Sequence, residues 1–267
     1  MFSFKEVFPG VFHITDCMGV NMTLLRGTDK ALLIDAGYGI ENIREQAEAL
    51  AGMPVQLLLT HGHHDHALGA AHFSACCFFE DELEVYRFYT RREQRERVAG
   101  QASGKGLSVP RDFLTRPVAE PEMLHPLRDE ETGFDLVTFI LGGLTARVYR
   151  VPGHTPGSAV IFVPEHHLLL TGDNWNPCTW AWFPEAESIR VLKSNMLALA
   201  ERLPAERLLC SHRSELFPAG AMKLFYDRLT DEMLRNAPRV HGEAGDIRRL
   251  LLPDGTELMF DAKKAGL

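Results

Sequence analysis

Apolar residues in this chain come mostly in short runs cut by glycine, proline and polar turns, the pattern of strands in a layered domain. Residues 10–14, 20–25 and 30–35 are three such runs, the third closed by Ala36-Gly37. Residues 41–51 change period, with Ile43, Ala47, Leu50 and Ala51 at helical spacing. Residues 55–60 are almost continuously apolar, as expected of a strand buried on both faces. Strand, helix and strand in this order predict a crossover unit in an α/β fold.

The second half continues the theme. Runs 137–141 and 144–149 flank Gly142-Gly143, a hairpin signal. Runs 159–163 and 167–170 follow, then helices over 186–202 and 218–236 with a strand at 207–210 between them. Residues 249–260 read as a hairpin around Asp254-Gly255, so 213–267 is expected to hold a C-terminal helix and hairpin. Residues 81–118 break the pattern and read as an insertion, helical over 80–99, with a flexible break from 100 to 106. Residues 1–267 are expected to form a single domain, with the insertion as a cap.

Composition narrows function more than fold. No apolar run approaches the roughly 20 residues that a membrane span needs, so no membrane partner is expected. The first residues lack the basic and then apolar order of a secretion leader. The cysteines (Cys17, Cys76, Cys77, Cys178, Cys210) are odd in number and irregular in spacing, which fits free thiols in a reducing cytoplasm. The net charge of −8 disfavours a chain-wide nucleic-acid surface, and no nucleic acid is expected as a partner. The insertion is the exception: residues 87–116 hold eight basic and three acidic residues, 8 − 3 = +5. This patch is either a cap that attracts an anionic substrate or an ordinary solvated helix face. Arg92 with Glu96 and Glu93 with Arg97, four residues apart, fit the ordinary face.

The chemistry concentrates in Thr60-His61-Gly62-His63-His64-Asp65-His66, directly after the buried run 55–59. In an extended segment, residues two apart point the same way, so His61 and His63 can converge on one metal ion. If a helix starts next, Asp65 and His66 can face a second ion. Imidazole and carboxylate suit zinc, and also iron or manganese. Further donors sit just past apolar runs: His154 in Gly153-His154-Thr155-Pro156-Gly157, Asp173 in Thr171-Gly172-Asp173, and His212 after Cys210-Ser211. Layered α/β folds collect ligands at such strand ends. His64 stands inside the first motif and reads as a packing residue or as support for a ligand rather than as a ligand. His13, His72, His125, His166, His167 and His241 read as ordinary residues.

These pieces, in this order, resemble the metallo-β-lactamase superfamily of metallohydrolases. The matching elements are H-x-H-x-D-H at 61–66, G-H-T-P-G at 153–157, T-G-D at 171–173, the late His212, and an early strand ending at Asp35. Two departures are Leu68-Gly69-Ala70, where many relatives have Gly-Gly, and Ser211 before the last histidine. The resemblance implies a four-layer αββα sandwich with metals at one edge. It implies that His61, His63 and His154 bind one divalent ion and that Asp65, His66 and His212 bind the other. Asp173 would bridge the two, and Asp35 would orient a ligand from behind. The implied reaction is hydrolysis by a hydroxide bridging two ions, zinc being the first expectation, with Asp65 able to pass a proton to the leaving group.

The substrate is less legible. Residues 175–183 hold all three tryptophans and follow Asp173, so Trp175, Trp180, Trp182 and Phe183 are expected to wall an apolar pocket for a small-molecule substrate. An ester, thioester or lactone is the expected bond. A glutathione-thioester hydrolase ranks lower, because only 55 residues (213–267) remain for a helical tail. Alternatives are a phosphodiesterase or nuclease of the same superfamily, and a mononuclear iron enzyme like the sulfur dioxygenases, using His61, His63 and His154. A homodimer is compatible with this reading.

Overall fold

The strand runs assemble into two seven-stranded sheets packed face to face, in a computed structural model that describes residues 2–267. The first sheet runs, in chain order, through β1 (Ser3–Phe8), β2 (Val11–Thr15), β3 (Asn21–Arg26), β4 (Ala31–Ile34), β5 (Val55–Leu58), β6 (Ala75–Phe78) and β7 (Glu120–Met123). It is antiparallel up to β4 and parallel from β4 to β7. Helix α1 (Ile43–Ala51) makes the crossover between β4 and β5, as the sequence order predicts.

The second sheet contains β8 (Leu127–Arg128), β9 (Asp135–Ile140), β10 (Thr145–Arg150), β11 (Ala159–Val163) and β12 (Leu168–Leu170). Apart from it lies β13 (Cys178–Ala181), and then β14 (Arg207–Cys210) and β15 (Arg213–Pro218) complete the second sheet beyond β12. The C-terminal hairpin, β16 (Ile247–Leu251) with β17 (Glu257–Asp261), takes β13 as a parallel third strand.

Alternation along each buried strand feeds two cores at once. In β4, Leu32 and Ile34 face the second sheet, where they meet residues such as Val148, Ile161 and Leu170. Ala31 and Leu33 face outward against Ile43 and Ala47 of α1. The outer face of the second sheet, with Tyr149, Val160, Phe162 and Leu208, is covered by α5 (Ile189–Arg202), α6 (Ala219–Arg228) and α7 (Asp231–Asn236). The layers are therefore helix, sheet, sheet, helix, the expected αββα sandwich.

The insertion differs from the sequence reading. Residues 80–82 are a 3-10 turn, followed by α3 (Leu83–Thr90) and α4 (Arg92–Gly104), with the break at Arg91 rather than at Gly100. The reason is a buried cation. Arg95 donates to the carbonyls of Thr90 (2.8 Å), Phe113 (3.2 Å) and Arg116 (2.5 Å), and so holds the break together. Arg92 pairs with Glu96 at 2.9 Å as expected, but Glu93 pairs with Arg91 (3.6 Å) instead of Arg97. Residues 218–236 likewise form two helices, because Thr230 caps the second by accepting from Met233 N at 3.2 Å. Residues 213–218 are a strand, so the C-terminal region begins in the sheet.

Candidate metal centre

The chemical residues singled out at strand ends all lie at one edge of the sandwich. The segment after β5 stays extended through His61 and His63 and then turns into the short helix α2 (His64–Ala67). Gly62 is required in the extended part: a Cβ there would lie 2.4 Å from the backbone nitrogen of Tyr86 in α3. Gly69 answers the absent Gly-Gly, since its Cβ would lie 1.9 Å from the carbonyl oxygen of Ala36. The loop after β10 presents His154, whose backbone nitrogen donates to Asn174 Oδ1 at 2.9 Å. Asp173 follows β12, and His212 follows β14.

The outer hydrogen bonds set the tautomers of the first three histidines. His154 Nδ1 faces the carbonyl oxygen of Trp180 at 2.6 Å, and a carbonyl only accepts, so Nδ1 carries the proton. His63 Nε2 lies 2.6 Å from the Glu185 carboxylate and is the donor by the same logic. Thr60 Oγ1 donates to Asp35 Oδ2 at 2.8 Å, so it accepts from His61 Nδ1 at 3.0 Å. The lone pairs left over are His61 Nε2, His63 Nδ1 and His154 Nε2. They converge, with His63 Nδ1 only 3.2 Å from His61 Nε2 and 2.9 Å from His154 Nε2.

A second cluster adjoins the first. His66 Nδ1 donates to Asp35 Oδ2 at 2.9 Å, and its Nε2 is buried with no hydrogen-bond partner. Asp173 Oδ2 lies 3.0 Å from His212 Nε2, 3.5 Å from His66 Nε2 and 3.7 Å from His154 Nε2, between the two groups. Asp65 Oδ2 lies 3.6 Å from His212 Nε2 and 3.7 Å from His66 Nε2. Donor atoms within 4.8 Å of one another form the sets His61–His63–His154, His61–His66–Asp173 and Asp65–His66–His212. The structure thus brings all seven sequence-predicted side chains together, with Asp35 behind His66.

Three converging lone pairs, one orphaned imidazole nitrogen and an orphaned Asp173 Oδ1 are a costly burial without a cation. The donor set fits divalent ions of the zinc, iron and manganese group. The charge balance agrees. Burial holds His61 well below the usual imidazole range and His154 at about 4, so both keep free lone pairs. Burial opposes charge on His66 too, but Asp173, Asp35 and Asp65 outweigh it and hold that imidazole well above its usual value. Asp173 is held well below the carboxylate range: burial pushes it up, and His212 and His66 override that push. The acidic cluster therefore holds protons where a cation would displace them.

Asp35 can be tested directly because its backbone is left-handed, at φ 65°. It also accepts from Thr60 N at 2.7 Å. Asp35→Asn tolerates that φ and is expected to fold but to bind less metal. Asp35→Ala strains the backbone and strands buried donors, and each stranded donor costs about 1–3 kcal/mol. Thermal melts and zinc content should therefore separate the two variants, alanine losing both and asparagine mainly the metal.

The aromatic wall is only partly as expected. Phe183 packs edge-on to His63 (4.8 Å between ring centres) and near His154 (5.5 Å). Trp182 stacks on Phe183 at 4.6 Å, and Trp180, 41% exposed, lies 6.1 Å from Phe183. Trp175 is not in the wall. It is 1% exposed and packs in the core beneath α5 and α6, edge-on to Phe217 at 5.3 Å. The hydrogen bond of Thr171 Oγ1 to the Trp175 carbonyl (2.7 Å) turns the chain inward there.

Sequence reasoning missed three residues. Glu82 is fully buried, and its carboxylate accepts from Gly62 N (2.9 Å) and Gly157 N (2.8 Å), tying the two histidine loops to the insertion. Tyr89 of α3 lies edge-on to His63 at 4.5 Å, and its hydroxyl donates to Glu185 at 2.7 Å. Glu185 itself binds His63. None has a local signal, because each meets its partner across a fold contact.

The sequence profile of the metallo-beta-lactamase superfamily matches residues 15–212. The acyl-coenzyme A thioesterase MBLAC2 of Gallus gallus is 26% identical over 259 residues, 90% of this chain and 89% of that protein. A hydroxyacylglutathione hydrolase of Cereibacter sphaeroides is 28% identical over 201 residues, 73% of this chain and 63% of that enzyme. Among solved structures, a metallo-beta-lactamase family protein from Thermus thermophilus has a similar fold, with a TM-score of 0.58 at 22% identity, covering 86% of this chain and 82% of that one.

Proposed function

Since the chain belongs to the metallo-β-lactamase superfamily of hydrolases, we propose that it is a metal-dependent hydrolase of a small thioester. The observation that carries the metal is the convergence of His61 Nε2, His63 Nδ1 and His154 Nε2, whose opposite ring nitrogens are all engaged as donors. Thioester cleavage is supported by the relatives, whose names describe thioester hydrolases.

In this reading, His61, His63 and His154 hold one divalent ion, Asp65, His66 and His212 hold a second, and Asp173 lies between them. Two such ions, zinc first, would supply Lewis acidity and would lower the pKa of a coordinated water towards neutrality. The protein's own groups do the rest. Asp35 fixes His66 by accepting a hydrogen bond from its Nδ1. Asp65 lies within 4 Å of His66 and His212, and those imidazoles and His64 keep it ionised despite burial. It is the group placed to receive a proton and hand it to a departing thiolate. Trp180, Trp182, Phe183 and Tyr89 provide an apolar face beside the histidines for the acyl portion.

Local pairs engage part of the insertion's charge. Arg87 pairs with Glu84, Arg92 with Glu96 and Arg116 with Asp112, while Arg95 is engaged by backbone carbonyls. The specificity constant kcat/KM is therefore expected to change by no more than about twofold across added salt. A steep fall with salt would restore the steering role.

Metal analysis followed by a substrate panel tests the function. The expected result is zinc in the purified protein, with acyl thioesters turned over faster than aryl esters, lactones and phosphodiesters. A single iron with oxygen consumption, or phosphodiesters as the best substrates, would overturn it.

A further inference from the structure

His63 is enclosed on three sides by residues that no motif marks. The ring of Tyr89 lies edge-on to it at 4.5 Å and that of Phe183 at 4.8 Å. Its Nε2 meets Glu185 Oε1 at 2.6 Å, and the same oxygen accepts from the Tyr89 hydroxyl at 2.7 Å. Two donors on one carboxylate oxygen fix its position. Phe183 and Glu185 come from the loop after β13, and Tyr89 comes from the insertion helix α3, so two separate parts of the fold meet at one histidine.

We propose that Glu185, held in place by Tyr89, is the positioning residue for His63: it accepts the hydrogen bond from Nε2–H and thereby leaves the Nδ1 lone pair facing the metal site. The proposal rests on the metal-hydrolase reading above. It gives the insertion a role apart from its charge, because α3 reaches His63 through the Tyr89 hydroxyl. Without Glu185 the imidazole can place its proton on either nitrogen and rotate, and the Nδ1 lone pair is no longer preset. Residues that support a ligand in this way typically contribute a factor of about 10–100 in metal affinity.

The test is competition for Zn2+ between the full-length protein and a chromophoric chelator, alongside visible spectra of the Co2+-loaded protein. Glu185→Ala is expected to weaken uptake of one zinc equivalent by about 10- to 100-fold and to change the cobalt spectrum. Glu185→Gln keeps an acceptor oxygen but not the charge, and should lose less. Tyr89→Phe should weaken uptake in the same direction by a smaller factor, and should add nothing once Glu185 is alanine, because its effect runs through that carboxylate. Melting temperatures of the metal-free proteins are measured alongside, so that the cost of leaving the His63 and Tyr89 donors without their carboxylate is told apart from the loss of metal. If Glu185→Ala does not fold, the zinc affinity of Glu185→Gln decides in its place. Zinc affinity within twofold of wild type with an unchanged cobalt spectrum would overturn the proposal. Equal losses from Tyr89→Phe with and without Glu185 would remove Tyr89 from it. Wild-type protein that takes up no metal would instead sink the metal-hydrolase reading itself.

Discussion

A His61→Ala variant should lose its bound metal and more than about 100-fold of its turnover, beyond the upper end of what a merely supporting residue costs. His61 belongs to two of the three donor sets, with His63 and His154 on one side and with His66 and Asp173 on the other. Removing it therefore weakens both groups at once. Its Nδ1 is tied through Thr60 to Asp35, so neither of those side chains is free to swing in and replace it. Asp65→Asn makes the informative contrast. It keeps the shape and one acceptor oxygen but can neither carry the charge nor take up a proton. Turnover should then fall much further than metal content. Elemental analysis and initial rates, measured together, check both variants. A His61→Ala protein with full metal content and undiminished hydrolysis would remove His61 from the centre, as would hydrolysis that survives loss of the metal.

Trp175→Ala should destabilise the fold by about 3–5 kcal/mol, the range for truncating a large buried aromatic. For a chain of this size that is roughly 10 °C in melting temperature. The side chain is 1% exposed and fills the layer between the second sheet and its helices. Trp175→Phe should lose far less, because the indole nitrogen has no hydrogen-bond partner to forfeit. Neither change should alter KM in protein that remains folded. Trp180→Ala is the reverse case. Its side chain is 41% exposed, and the contact that orients His154 uses only its backbone carbonyl. Stability should move by no more than about 0.5 kcal/mol, while KM for a thioester with an apolar acyl group rises. Thermal melts and Michaelis curves for the three variants separate the two roles. A rise in KM for Trp175→Phe, with none for Trp180→Ala, would reverse the two assignments.

The tryptophan cluster shows where reading along the chain stops working. Trp175 and Trp180 stand five positions apart in one aromatic stretch, and nothing local tells the core residue from the exposed one. The distinction arises because Thr171 draws the chain at Trp175 inward, whereas β13 is captured by the C-terminal hairpin. The broken insertion helix has the same origin. Residues 80–99 carry no helix-breaking proline or glycine, and the break at Arg91 is set by Arg95 bonding to carbonyls as distant as Phe113 and Arg116. Edge strands such as β1 and β7 carry no clear signal either, since pairing with neighbours, rather than their own apolar content, holds them in the first sheet.

A layered α/β domain and the order of the chemical residues are legible in the linear chain, and the family resemblance those residues carry supplies the αββα arrangement. Nearly continuous apolar runs such as 31–34 and 55–59 call for burial, and each candidate ligand stands within a few positions of the end of such a run. Burial and strand ends are local properties, expressed in period and composition. For His63, His66 and His154, which nitrogen faces the centre is settled by folding alone, because the partners that set it are far away in the chain. His63 meets Glu185 across 122 positions, and His66 meets Asp35 across 31. A hydrogen bond of that separation leaves no periodicity for a linear reading to detect, and it exists only once both sheets have closed on the same edge.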